Sequence, residues 1–158
     1  MRGSCPTWLS MSDNWITFIP TRPDHVPSPQ AQQVARDLLA QVLPDAEVTA
    51  RVCEQIELVH PYENWSGVRC PLCKADLEDW YVEAVQAASE SAFADLTVIT
   101  PCCGGTTNLN ELDYVWPAGF SRFRIEAMNP NVKDVDAEVV KRLESILGCP
   151  LRRIWQHL

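Results

Sequence analysis

Two short strings contain the side chains best suited to chemistry: Cys70-Pro71-Leu72-Cys73 and, after 28 intervening residues, Cys102-Cys103-Gly104. Four thiolates carried on two turns can enclose one metal ion tetrahedrally, with no coordination position left for a substrate. Proline fixes the φ angle early in each turn, and glycine permits the left-handed backbone that follows the last ligand. We therefore predict a structural Zn²⁺ whose ligands are Cys70, Cys73, Cys102 and Cys103.

The second string departs from the regular Cys-x-x-Cys spacing. In the register Thr100-Pro101-Cys102-Cys103-Gly104, Thr100 holds the position of the first ligand, so the adjacent Cys102 must replace it. The sequence leaves open whether both neighbouring cysteines bind the metal. The alternative is a set of buried or redox-active thiols, with Cys70-x-x-Cys73 as a thioredoxin-like motif. That alternative requires a strand that opens directly into a helix, and a helix is predicted to begin nearby at Asp76.

Length and composition favour one folded α+β domain. The chain has 158 residues, 46% of them hydrophobic, and six tryptophans, which is enough to bury one good core. No apolar run is long enough to span a bilayer, and the first ten residues lack the apolar stretch of a secretory signal. We expect a cytoplasmic protein whose cysteines are metal ligands and free thiols rather than disulfides. Residues 1–12 are expected to be a disordered leader, with Met1 and Met11 both candidate starts, and 13–158 a single domain.

The order strand, helix, strand occurs twice, once on each side of the cysteine region. Alternating apolar residues predict the strands, and apolar residues at helical spacing predict the helices, one beginning at Ser28-Pro29 and one ending at Gly148. The predicted elements are strand 15–19, helix 29–43, strand 47–59, strand 120–128, a helix capped by Asp134 or Asp136 that ends at 147, and strand 151–157. Two right-handed βαβ units favour a ferredoxin-like split βαβ fold. The alternative is that the similarity of the two units is accidental.

Residues 64–117 lie between the two middle strands and are predicted to form a zinc-ribbon-like insertion. Within it, Asp76 can cap a helix over 77–93, and 96–99 alternates as a short strand that leads into the second cysteine string. A minimal ribbon carries a hairpin between its two turns. The helix therefore indicates a decorated ribbon or a treble-clef-like variant.

Charge argues against the nucleic-acid binding that is common among zinc ribbons. Between Ser66 and Val115, two basic residues stand against eight acidic ones, and a metal site of four thiolates adds negative charge. The basic surplus lies at the C-terminal end, spread over three predicted elements, and is expected to be a solvated face, with an anion or RNA site as the alternative. These basic residues are Arg122, Arg124, Lys133, Lys141, Arg142, Arg152 and Arg153.

No arrangement of catalytic residues can be recognised. The three histidines, His25, His60 and His157, lie in different predicted elements, and the chain has no phosphate-binding loop, metalloprotease helix or hydrolase elbow. The string His60-Pro61-Tyr62-Glu63-Asn64, just before the first cysteines, is where a substrate contact could be imagined. These observations favour a protein that is not an enzyme, but the sequence leaves the question open.

The combination of Cys70-Pro-Leu-Cys73, Thr100-Pro-Cys-Cys-Gly104 and Trp116-Pro-Ala-Gly-Phe120 resembles a family of small uncharacterised bacterial cytoplasmic proteins. The resemblance covers approximately Trp15 to His157. It implies a bacterial origin and zinc binding, and it implies no activity, substrate or catalytic residue.

A net charge of −8 and the lack of catalytic groups favour a protein-interaction module of the adaptor or immunity kind. An acidic surface would bind a basic partner and make the association salt-dependent. One alternative is an enzyme with a pocket between the sheet and the insertion. The other is a nucleic-acid-binding protein that uses the C-terminal basic residues. No membrane partner is expected, and the sequence indicates neither an oligomeric state nor the identity of a partner.

Overall fold

The computed structural model describes residues 13–158, and the leader predicted over residues 1–12 lies outside the described residues. The chain folds as a mixed α+β structure. Its elements are β1 (Asn14–Pro20), α1 (Pro29–Val42), β2 (Glu47–Val59), β3 (Val68–Arg69), α2 (Glu78–Ser89), β4 (Thr97–Ile99), β5 (Thr106–Asn108), a 3-10 turn (Leu109–Glu111), β6 (Asp113–Tyr114), β7 (Gly119–Met128), α3 (Ala137–Leu147) and β8 (Leu151–His157). None of the helices in this part of the chain is long and apolar enough to cross a membrane.

The main sheet has four strands in the order β2-β7-β1-β8, and each neighbouring pair is antiparallel. Because β7 separates β1 from β2 and is antiparallel to both, the two strands of the first strand-helix-strand unit run parallel. The same holds for β7 and β8, which β1 separates. The two units therefore interleave within one sheet, and the strands predicted over 47–59 and 120–128 are confirmed as β2 and β7 to within one residue.

The two outer helices begin and end where local sequence signals place them. The Ser28 side chain caps α1 by accepting a hydrogen bond from the Ala31 N–H at 3.1 Å, and Pro29 occupies the first helical turn. Gly148 ends α3 in a left-handed conformation with φ of 75°. Both helices pack on one face of the sheet, where a buried core joins Ile16, Phe18, Leu38, Leu39, Phe123, Ile125, Leu143 and Leu147.

A second core lies under the segment between β2 and β7. This segment contributes α2 and two small antiparallel sheets, β3-β6 and β4-β5. Phe120 of β7 is fully buried in the second core, and Ile56 and Leu58 of β2 pack against it. The segment thus shares its core with the main sheet. The buried members are Val68, Cys70, Leu77, Tyr81, Leu96, Leu109, Leu112 and Phe120.

Hydrogen bonds of the Asn110 side chain link this segment to the main sheet. Its side chain is 2% exposed; the amide nitrogen donates to the Thr21 carbonyl at 2.9 Å, and the amide oxygen accepts from the Phe120 N–H at 2.9 Å. The Arg152 guanidinium donates to the same oxygen at 3.1 Å. Gly119 leaves room for this contact, because a Cβ there would lie 2.8 Å from the guanidinium and 3.1 Å from the Asn110 oxygen.

The helix predicted over 77–93 is shorter in the structure, where α2 ends at Ser89. Ala92 and Phe93 adopt positive φ angles of 54° and 60°, which interrupt the helix. The Phe93 ring packs against the Phe120 ring at a centroid distance of 5.2 Å. An alanine-rich sequence favours a longer helix, and packing against the sheet overrides that local preference.

Candidate metal centre

The four cysteines predicted as ligands lie together in the structure. All of their sulfur atoms lie within 4.8 Å of one another. The Cys70 and Cys103 sulfurs are 3.9 Å apart, and those of Cys73 and Cys102 are 3.3 Å apart. Four sulfurs bonded tetrahedrally to Zn²⁺ at about 2.3 Å are separated by about 3.8 Å. The cluster therefore has the dimensions of a site that could hold one metal ion.

The cysteines lie on two loops that share one backbone arrangement, the first loop (residues 70–75) and the second loop (residues 100–105). In each, the N–H of the first residue donates to the carbonyl of the sixth, at 2.8 and 2.9 Å respectively. The N–H of the fifth residue donates to the carbonyl of the first, at 2.9 Å in both loops. This fifth residue has a positive φ of 69° at Lys74 and 70° at Gly104. Outside the loops, Arg69 pairs with Asp76 and Ile99 pairs with Thr106.

This equivalence shows what replaces the missing cysteine of the second loop. Thr100 occupies the position of Cys70, is fully buried like it, and places its hydroxyl 3.4 Å from the Cys103 sulfur. The contact with Thr100 lowers the pKa of the Cys103 thiol. Cys102 occupies the position of Leu72 and turns its sulfur into the cluster. The fourth sulfur thus comes from a different position of the loop, as the sequence register predicts.

Backbone hydrogen bonds favour the deprotonated form of one thiol, that of Cys70. Burial raises the pKa of Cys70, but hydrogen bonds with the N–H groups of Cys73 and Leu72 and with the Thr100 and Cys102 side chains together lower it to about 6. The Leu72 nitrogen lies 3.4 Å from the Cys70 sulfur. At Cys73 the Ala75 N–H lowers the pKa, whereas the hydrogen bond with Cys102 and burial raise it, and the outcome is about 12. Cys73 must therefore lose a proton when a metal binds.

The arrangement does not match the thioredoxin-like alternative. Cys73 precedes the first residue of α2 by five positions, so the first loop does not open directly into the helix. The sulfurs of Cys70 and Cys73 have close neighbours in the second loop. Outside the cluster, Cys149 is a buried free thiol, whereas Cys53 is buried and disulfide-bonded. The expectation of metal ligands and free thiols alone is therefore wrong for Cys53.

The loop around His60 is part of an aromatic stack rather than of a cleft. The His60 ring stacks on Trp65 at 5.1 Å, and its Nδ1 accepts from the Tyr62 N–H at 2.8 Å. Burial lowers the pKa of His60. Four clefts among the described residues have volumes between 290 and 620 Å³, and His60, Tyr62 and Glu63 line none of these four. These four clefts therefore give no support to a substrate contact at this loop.

Three of the C-terminal arginines, Arg124, Arg152 and Arg153, contact protein oxygens. Arg124 is 5% exposed and forms ion pairs with Glu57 and Glu126 at 3.4 and 3.6 Å. Arg152 donates to the Asn110 carbonyl at 2.9 Å. Arg153 pairs with Asp134. These contacts compete with phosphate for the guanidinium groups that the nucleic-acid alternative requires.

Helix α2 carries the acidic surface that the sequence indicates. Glu78, Asp79 and Glu83 are exposed on the helix, and Glu90 is exposed at its C-terminal end. The helix contains no basic residue. Val82 is 62% exposed among these carboxylates.

Comparison of the chain with protein-family models, with curated proteins and with solved structures gives no match. A function must therefore be argued from the four-cysteine cluster and from the surface of the segment that holds it. The sequence identified all four residues of the cluster, because the strings Cys-Pro-Leu-Cys and Pro-Cys-Cys-Gly predict tight turns. It did not identify the stacking of His60 on Trp65, since nothing in the spacing of these residues predicts their contact.

Proposed function

We propose that Cys70, Cys73, Cys102 and Cys103 bind one structural Zn²⁺. The sulfur spacings and the N–H donor to the Cys70 sulfur support this proposal. Four thiolates in a closed tetrahedral set suit Zn²⁺, which has no redox chemistry of its own at such a site. A bound ion would join the two loops and link metal affinity to the folding of the segment around them.

The scaffold for this site is a ferredoxin-like split βαβ domain with an insertion over residues 64–117. The strand order β2-β7-β1-β8 and the interleaving of the two units support this assignment. The insertion is zinc-ribbon-like, since two loops with the same hydrogen bonds face each other across the sulfurs. Residues 13–158 form one domain, because the second core includes strands of the main sheet. A bacterial origin stays a prediction from the resemblance, and a cytoplasmic location stays a prediction from the sequence.

The function that these features favour is a protein-interaction module of the adaptor or immunity kind. The observation that carries it is the exposed acidic surface of α2, which lacks any basic residue and lies in the segment that holds the sulfur cluster. Such a surface attracts a basic partner and makes binding salt-dependent. A structural metal would keep the surface ordered, because the segment alone has a small core.

A matched pair of charge-reversed variants tests this function. Asp79→Lys with Glu83→Lys reverses the acidic surface of α2. Glu54→Lys with Glu138→Lys changes the net charge equally at exposed positions elsewhere. Each protein is immobilised with its metal and used to capture partners from native lysate at low and high salt.

We expect the wild type and the control to capture the same basic protein at low salt, and to release it at high salt. The α2 variant should capture little of it. Equal capture by the α2 variant, or no partner for the wild type at either salt concentration, would contradict the interaction function. Zinc content measured on all three proteins shows whether the metal site is intact in each.

A further inference from the structure

A cleft of about 520 Å³ separates α2 from β4. This volume lies within the ~300–1,000 Å³ typical of ligand-binding clefts. Its walls are apolar and polar in about equal parts, and its charged residues, Glu90 and Asp95, are both acidic. The apolar lining consists of Trp80, Ala84, Ala87, Ala88, Val98 and Ile99.

One wall of this cleft is the edge of a strand with free backbone groups. The pairing of β4 with β5 places the hydrogen-bonded pairs at even-numbered residues, because Leu109 N–H donates to the Leu96 carbonyl and Thr100 N–H to the Gly105 carbonyl, both at 2.9 Å. The N–H and C=O groups of the odd-numbered residues therefore point away from β5. No residue of β5 lines the cleft, so the N–H and C=O groups of the odd-numbered residues of β4 face the cleft.

Two residues of β4 are available on this outer edge. The Ile99 N–H and C=O have no hydrogen-bond partner in the described part of the chain, and the Ile99 side chain is 67% exposed. The Thr97 C=O is likewise directed outward, whereas the Thr97 N–H donates to the Asp95 carboxylate at 3.0 Å. An added strand could therefore form two bonds with Ile99 and one with Thr97.

We propose that this cleft binds an extended basic peptide segment of a partner protein, which adds a strand to the outer edge of β4. The unpaired edge selects an extended backbone, as in other cases of β-strand addition. An apolar side chain opposite Ile99 would pack on it and on the cleft wall. Lysine or arginine on either side would meet Glu90 and Asp95. This inference rests on the proposed interaction function and names the chemistry of its partner.

The test uses the metal-loaded full chain and a fluorescein-labelled, end-blocked peptide, Lys-Arg-Thr-Val-Ile-Val-Thr-Arg-Lys, with binding followed by fluorescence anisotropy. Ala87→Arg fills the cleft and adds a positive charge to its wall. Gln86→Arg is the matched control, because Gln86 is exposed on the same helix and does not line the cleft. Both changes retain strong helix formers. Two further peptides carry N-methyl groups on alternate residues. The two phases of N-methylation are one peptide methylated at odd-numbered positions and one methylated at even-numbered positions.

We expect Ala87→Arg to weaken peptide binding by about tenfold or more, since filling the cleft and placing like charges together both oppose it. Gln86→Arg should change binding much less. One phase of N-methylation should abolish binding and the other should preserve it, because only alternate N–H groups of an added strand face β4. A peptide with glutamate in place of lysine and arginine should not bind.

Absence of peptide binding, or equal binding by the Ala87→Arg variant, would overturn the proposal. If the two N-methylated peptides bind equally well, strand addition is overturned. The lysate capture described above separates this proposal from the general function. A partner that is lost with the α2 charge reversal but retained by Ala87→Arg refutes the cleft and leaves the interaction function standing.

Discussion

Exchange of Cys102 for serine should remove one of four metal ligands. Structural zinc sites contribute about 10–16 kcal/mol at neutral pH. An equal share for each thiolate is about 3 kcal/mol, and 1.4 kcal/mol corresponds to a tenfold change in affinity. We therefore expect Cys102→Ser to raise the dissociation constant for Zn²⁺ by about two orders of magnitude. Cys149→Ser, which alters a free buried thiol outside the cluster, should leave the constant unchanged.

A second change should restore the site. Thr100 has the backbone position of Cys70, and its hydroxyl lies 3.4 Å from the Cys103 sulfur, close to the spacing of about 3.8 Å expected between zinc ligands. Adding Thr100→Cys to the Cys102→Ser variant converts the second loop to the regular spacing of the first. The affinity should return to within about tenfold of the wild type, which corresponds to 1.4 kcal/mol.

The assay is competition with a chromophoric zinc chelator at fixed pH and salt. Unchanged affinity in Cys102→Ser would show that this residue is not a ligand. Failure of Thr100→Cys to recover affinity, in a protein that folds and keeps its main sheet by circular dichroism, would refute the equivalence of the two loops.

Two further expectations concern stability. Asn110→Ala should lower the free energy of unfolding by about 1–3 kcal/mol, because the buried Phe120 N–H loses its acceptor; an unchanged urea midpoint would contradict this. Burial holds the pKa of His60 below its usual 6.5, so the folded state favours the neutral ring. The stability that depends on this ring should be complete above pH 6.5 and be lost as the pH falls below it, because the unfolded chain binds the proton first. His60→Gln should therefore lose less stability between neutral and mildly acidic pH, and an identical pH slope in urea titrations would refute the assignment.

Elements with strong local signals could be predicted from the sequence. Ser28-Pro29 and Gly148 fix one end each of α1 and α3 through capping geometry that does not depend on distant residues. The last strand, predicted over 151–157, has the same bounds as β8. The four cysteines could be assigned to one site for a similar reason, since the strings at 70–73 and 101–104 each predict a tight turn.

Features that depend on tertiary contacts could not be predicted. The pairing of β3 with β6 involves two residues from each strand, too few to show alternation. Val34 continues the helical spacing of apolar residues in α1 but is 53% exposed in the structure, because helical spacing alone does not fix the width of the buried stripe. The cleft beside β4 arises only when α2 packs next to the strand, and no motif in either element indicates it.

Metal analysis of the intact protein, purified without chelator, tests the central claim most directly. We predict one zinc per chain, with Cys70, Cys73, Cys102 and Cys103 protected from a thiol reagent in the native protein and released on denaturation with a zinc-binding chelator. Substantially less than one metal per chain, with these four thiols freely reactive in the native state, would contradict the account.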